Sequence, residues 1–199
     1  MKKINSSNPL VAKRFMELND FQILEKLKEG DPLAYNQLFD KYYMPLCVYG
    51  LKYCDSFELA EDIVQDLFVK FWDEKLYLKL DNAISPYLFK SVKNNTLQAI
   101  KKESKYQFDD IENLVNSMMD DDPIDFAYLE EEKMKLYEQV EALPEKSKEV
   151  FKAIVLESMK YREVADSLGI SVNTVKTHYA RALKQLRFKL DIIIMLLLV

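Results

Sequence analysis

The stretch Tyr161-Arg-Glu-Val-Ala-Asp-Ser-Leu-Gly-Ile-Ser-Val-Asn-Thr-Val-Lys-Thr-His-Tyr-Ala180 decides how this chain is read. Two short helical patterns flank a turn at Gly169, and the second opens at a cap-type serine, Ser171. Ala165 is small where two helices would cross closely. Gly169 follows where the turn needs a positive φ. Val175 supplies a β-branched contact that locks the second helix onto the first, and Val164, Leu168 and Ile170 complete the buried set. This is helix-turn-helix spacing, which places the second helix in a DNA major groove. In that second helix Val172, Val175 and Tyr179 face inward. Ser171 starts it, and Asn173, Thr174, Lys176, Thr177 and Arg181 face outward near its start, with Lys184, Arg187 and Lys189 extending the basic face. These residue types donate to base edges and phosphates, and the positive end of the helix dipole favours phosphate as well. An ordinary three-helix bundle with a solvated basic face is the competing reading.

The bulk composition agrees with a helical protein. Among 199 residues there are only 3 Gly and 6 Pro, too few turn formers for many hairpins, so an all-α fold is expected. The net charge of −5 argues against a DNA binder until its distribution is read. Ten acidic residues and no Lys or Arg lie between Asp109 and Glu132. The rest of the chain is therefore net basic. One His and two Cys supply neither a metal cluster nor a nucleophile–base pair, so no enzyme and no cofactor is expected. Placed on one helix, Cys47 and Cys54 would lie roughly 10 Å apart, too far for a disulfide. A reducing cytoplasm fits. No signal peptide is expected at the start of the chain. The apolar tail 192–199 is far short of the ~20 residues that span a bilayer, and is either core-facing or partner-facing.

Along the chain, Asp20 is expected to cap a short helix ending at Gly30. Asp31-Pro32 opens a second. Asp55 with Glu58 has capping-box spacing for a third, which carries Leu59, Ile63, Leu67, Phe68 and Phe71 and ends near Trp72. In that helix Glu61, Asp62, Gln65 and Asp66 form an acidic-polar edge beside Phe68 and Trp72, both read as leaning outward. Residues 75–84 read as a loop. Ser85-Pro86 opens a fourth helix running to about 104. There Val92, Leu97 and Ile100 pack inward, and Lys90, Lys93, Asn94, Lys101 and Lys105 face outward near Tyr87, Phe89 and Tyr106. Basic and Asn side chains beside aromatics suit a nucleic-acid backbone with unstacked bases; a solvated lysine face is the plainer reading. Residues 109–125 read as a mobile, solvated acidic linker. A helix from about 125 to 142 and three more over 145–157, 161–168 and 172–190 follow. The expected fold is thus two all-α domains, 1–108 and 142–199, with a partly helical acidic linker at 109–141 between them.

Taken together, Ala60-Glu-Asp-Ile-Val-Gln-Asp-Leu-Phe-Val-Lys-Phe-Trp72, Tyr87-Leu-Phe-Lys-Ser-Val-Lys-Asn-Asn95, Leu143-Pro144 and the helix-turn-helix with Ala182-Leu-Lys-Gln-Leu-Arg187 resemble a bacterial RNA polymerase sigma factor of the extracytoplasmic-function (ECF) group. The resemblance implies that the helix carrying Asp62, Gln65, Asp66, Phe68 and Trp72 docks on core RNA polymerase. It implies that Tyr87, Lys90, Lys93, Asn94, Asn95 and Lys101 face the minus-ten promoter element, with residues 75–85 as the loop holding a flipped base. It assigns Ser171, Asn173, Thr174, Lys176, Thr177, Arg181 and Lys184 to the minus-thirty-five element, and threads the acidic linker toward the RNA exit path. It also implies an anti-sigma partner. Tyr87 stands where tryptophan is common in the family, and the tail 192–199 is outside the family pattern. The rival reading is an autonomous helix-turn-helix regulator whose first 108 residues sense or dimerise; an adaptor that does not touch DNA is more distant.

Overall fold

The computed structural model describes residues 18–81, 84–103 and 126–198, the side chains of residues 103 and 126–130 aside. The expected linker 109–125, together with Lys105 and Tyr106, lies outside the described residues. Every regular element among those described is helical.

Helix α1 (Asp20–Lys28) is capped by Asn19, one residue before the expected Asp20. Asn19 Oδ1 accepts from the Gln22 amide at 2.9 Å, while Gln22 Oε1 accepts from the Asn19 amide at 3.0 Å. This reciprocal box satisfies two orphan donors. Asp20 is left to accept from Lys41 (2.7 Å) and the Tyr42 hydroxyl (2.5 Å), tying α1 to α2 (Pro32–Gly50). The Asp31-Pro32 start of α2 is as expected, with Asp31 Oδ1 accepting from the Leu33 amide at 2.9 Å. Helix α3 (Phe57–Asp73) is capped by Ser56 rather than Asp55; Ser56 Oγ accepts from the Leu59 amide at 3.2 Å. The expected loop contains a 3-10 turn, Leu76–Lys79. Helix α4 (Ile84–Glu103) begins just before the predicted Ser85-Pro86.

These four helices close around Leu24, Leu38, Leu46, Val64, Phe68, Phe71, Leu88 and Val92, all buried. Gly50 is where α2, α3 and α4 meet. A Cβ there would stand 3.0 Å from the Ala60 Cβ and 3.7 Å from Val92 Cγ1. Ala60 and Val92 are themselves fully buried, so neither yields easily. Gly50→Val is therefore expected to destabilise the first unit by about 1–3 kcal/mol through overpacking, read as a lowered urea midpoint with unchanged slope.

The second unit comprises α5 (Phe126–Glu141), α6 (Glu145–Val155), α7 (Tyr161–Leu168) and α8 (Val172–Gln185). The turn between α7 and α8 follows the sequence reading: Gly169 has φ 64° and Ser171 caps α8. Val164, Val175 and Tyr179 are fully buried, while Leu168, Ile170 and Val172 are half-buried. The predicted helix 172–190 does not run through. It stops at Gln185, turns through a 3-10 segment (Arg187–Lys189), and restarts as α9 (Leu190–Leu198). The break lets the tail bury Leu190, Ile192, Ile193 and Ile194, with α9 lying along α2 and touching α5 and α6. Of the two expectations for the tail, the core-facing one holds. Near the break, Glu132 is buried and pairs with Lys189 and with Lys135 (3.0 Å); hydrogen bonds from those ammonium groups lower its carboxyl pKa.

The cysteines do not share a helix. Cys47 is in α2, whereas Cys54 follows the helix end, its thiol 3.4 Å from the Gly50 carbonyl oxygen. Both are buried and neither is in a disulfide. Burial pushes the Cys47 thiol pKa up.

Candidate nucleic-acid and polymerase interface

Three polar helix faces carry the residues singled out by sequence. On α8, Asn173, Thr177, Arg181 and Lys184 are exposed. At about 100° per residue they fall within about 80° of one another, opposite the buried Val175, Tyr179, Ala182 and Leu183. Ser171 Oγ accepts from the Thr174 amide at 3.1 Å and lies 2.8 Å from Thr174 Oγ1. Both side chains are thus engaged in starting the helix. Thr177 Oγ1 donates to the Asn173 carbonyl at 2.9 Å. Lys176 is half-buried, because its ammonium donates to Glu61 Oε2 at 2.9 Å.

On α4, Tyr87, Lys90, Asn94 and Lys101 fall within about 60° of one another. Lys90, Asn94 and Lys101 are exposed; Tyr87 is half-buried, its ring 5.9 Å from that of Phe71. Lys93 and Asn95 flank this stripe and are half-buried, with the Lys93 ammonium 5.8 Å from the Tyr53 ring centroid. The opposite side buries Ile84, Leu88, Val92 and Thr96.

On α3, Asp62, Gln65 and Asp66 are exposed and Trp72 is half-buried against Tyr35, ring centroids 4.8 Å apart. Two expectations for this helix fail. Phe68, read as outward-leaning, is 1% exposed and packs on Phe39 and Tyr35 with centroids 5.0 and 6.3 Å apart. Helix α3 is sandwiched between α2 and α4, so its buried side is wider than the Ile63–Leu67–Phe71 stripe alone. The outward apolar residue is Val69, 56% exposed among Asp62, Gln65 and Asp66. Glu61, expected on the solvated edge, is 3% exposed, held by Lys176 and by the Tyr43 hydroxyl, which donates at 3.1 Å.

Sequence reading also missed Lys146, Ser147 and His178. They share a 380 Å³ depression with Arg181 and Lys184, and Ser147 Oγ lies 3.4 Å from His178 Nδ1. The start of α6 comes beside α8 only in the folded chain, so no local pattern marks this group.

Two helical units in this order, the first with an acidic stripe on α3 and a lysine–asparagine stripe on α4, the second a helix-turn-helix, define a transcription-initiation class of fold. The chain matches the Sigma-70 region 2 family over residues 38–106 and the Sigma-70 region 4 family over residues 133–186. Together these cover more than half of it, and the chain belongs to the sigma-70 family, ECF type. It is 27% identical to the RNA polymerase sigma factor SigV of Bacillus subtilis over 145 residues, spanning 71% of this chain and 81% of that relative. It is 23% identical over 184 residues to the ECF RNA polymerase sigma factor SigW of the same organism, spanning 88% and 98%. Identity to the ECF RNA polymerase sigma-E factor of Escherichia coli K12 is also 23% over 184 residues, spanning 83% and 91%.

Proposed function

We propose that this chain is a promoter-specificity factor that binds core RNA polymerase through the exposed stripe of α3 and promoter DNA through α4 and α8. The observation that carries the reading is the order of the two matched regions, each with its polar stripe directed away from its own hydrophobic core. In this account Asp62, Gln65, Asp66 and Val69 make the polymerase contact. Tyr87, Lys90, Asn94 and Lys101 meet the minus-ten element, flanked by Lys93 and Asn95. Asn173, Thr177, Arg181 and Lys184 read the minus-thirty-five duplex, and Ser171 and Thr174 set the start of that helix. Chemistry on nucleotides belongs to the polymerase, and the chain acts as a non-catalytic initiation factor in the cytoplasm. No described helix is long and apolar enough to cross a membrane. An anti-sigma protein is the regulatory partner this reading anticipates. A sensor domain has no use for an exposed acidic stripe on α3 beside a basic stripe on α4, which disfavours the autonomous regulator.

The test is capture of purified core RNA polymerase by the chain on gel filtration. Asp62→Arg combined with Asp66→Arg is expected to lower core affinity at least about tenfold, equivalent to 1.4 kcal/mol, with unchanged melting temperature. Equal capture by the parent and the double variant would overturn the assignment of α3.

A further inference from the structure

The depression that holds Lys146, Ser147 and His178 has no part in the three stripes. At about 100° per residue, His178 stands about 60° beyond Arg181 on α8, on the flank away from Lys176. The Lys176 flank is occupied, since that ammonium meets Glu61 of α3 at 2.9 Å. The His178 flank faces the start of α6 instead.

Four basic groups border the depression: Lys146 from α6, and His178, Arg181 and Lys184 from α8. Among the described residues no carboxylate lines it, and α7 contributes nothing to it. Arg181 and Lys184 are exposed and, among the described residues, neither is in an ion pair. Lys146 meets Glu149 at 3.0 Å, an exposed pair that yields to a competing anion at little cost. Glu145, in the first turn of α6, is held by Lys148 at 3.0 Å. Ser147 is 3% exposed, and its hydroxyl lies 3.4 Å from His178 Nδ1. Packing thus commits one nitrogen of the half-buried imidazole. The other, Nε2, has no hydrogen-bond partner among the described residues.

Uncompensated positive charge around a concavity attracts an anion. Phosphate suits this set: an Arg fork takes two of its oxygens, and Lys and imidazole N–H groups add charge and donors. The volume, 380 Å³, falls within the ~300–1,000 Å³ of small-ligand sites. The position also supplies such a group. A helix seated in a major groove about 12 Å wide lies between two phosphate backbones, and the His178 flank of α8 is the one open to a backbone.

We propose that Lys146, Ser147 and His178, with Arg181 and Lys184, form a phosphate site whose grip depends on the protonation of His178. For a backbone phosphate this rests on reading α8 as the duplex-reading helix; a free phosphorylated molecule presents the same group without that reading. An imidazole changes charge between about pH 5 and pH 8. The imidazolium adds a positive charge and an N–H donor, and a bound anion holds the proton in return. Affinity is therefore highest at the acidic end of that range and falls as pH rises through it.

The chain has a single histidine, so its imidazole NMR signal needs no assignment. The test follows that signal in the full chain from about pH 5 to pH 8, alone, with inorganic pyrophosphate, and with a generic duplex. Binding is expected to move the pH midpoint of the signal upward. By fluorescence anisotropy, duplex affinity is expected to be at least about fivefold tighter at the acidic end of the range than at the basic end. His178→Gln should reduce that ratio below about twofold with little change in affinity at the basic end, where the imidazole is neutral. Lys146→Gln should lower the slope of log affinity against log salt by about 0.9, one phosphate contact. Lys28→Gln, on α1, removes the same charge elsewhere and should leave the slope unchanged. A midpoint moved by pyrophosphate but not by duplex would assign the site to a free phosphorylated molecule. A midpoint moved by neither, or a pH profile that survives His178→Gln, would overturn the site. If that chain still supports promoter-directed transcription, the proposed function stands without it.

Discussion

Alanine at both Asn173 and Arg181 is expected to cut promoter-directed transcription about 100-fold while leaving core polymerase capture unchanged. Both side chains are exposed on one stripe of α8. A side chain reading a base edge contributes about 1–3 kcal/mol of discrimination, so losing two removes roughly two orders of magnitude at 1.4 kcal/mol per tenfold. Stability should move by no more than about 0.5 kcal/mol, as for other exposed substitutions. Ser171→Ala makes the contrast. It removes the cap of α8, costing about 1 kcal/mol of local stability, so its loss of activity comes with a lower unfolding midpoint. Run-off assays paired with thermal melts separate the two cases. Undiminished transcription from the Asn173/Arg181 variant would remove α8 from promoter reading.

Phe68→Ala is expected to cost about 3–5 kcal/mol, a large part of the 5–15 kcal/mol that holds an ordinary domain folded. Its ring is 1% exposed and engages both Phe39 and Tyr35, and its carbonyl accepts from the Tyr35 hydroxyl at 3.1 Å. The neighbouring Val69→Asp should do the opposite: little change in unfolding midpoint, but weaker core polymerase capture, because that side chain faces out beside Asp62, Gln65 and Asp66. A Phe68→Ala protein with parental stability and selectively lost polymerase binding would contradict the packing described for α3.

That pair of residues shows what was legible in the chain and what was not. Periodicity located α3 and its stripe Ile63–Leu67–Phe71, but it does not reveal that a second helix covers the flank where Phe68 lies. The turn of the helix-turn-helix was legible to the residue, since Gly169 and Ser171 are local signals with local consequences. Caps were legible to within one position. At Asn19-Asp20 and Asp55-Ser56 two capping residues are adjacent, and their tertiary partners, Lys41 and Tyr42 for Asp20 and Arg187 for Asp55, decide which one caps. The end of α8 carried no Gly or Pro to announce it. It breaks at Leu186 because burying α9 against α2 outweighs continuing one straight helix. In the same way the stripes of α4 and α8 could be read from spacing. The pairing of Lys176 with Glu61, 115 residues apart, could not.

The account is tested most directly by run-off transcription with purified core RNA polymerase on a library of genomic fragments from the organism that encodes the chain. The predicted result is a set of discrete transcripts that appear only when the chain is added, sharing two sequence elements upstream of their start sites. No transcripts with the chain present, alongside specific duplex binding by the chain alone, would contradict it and favour an autonomous regulator.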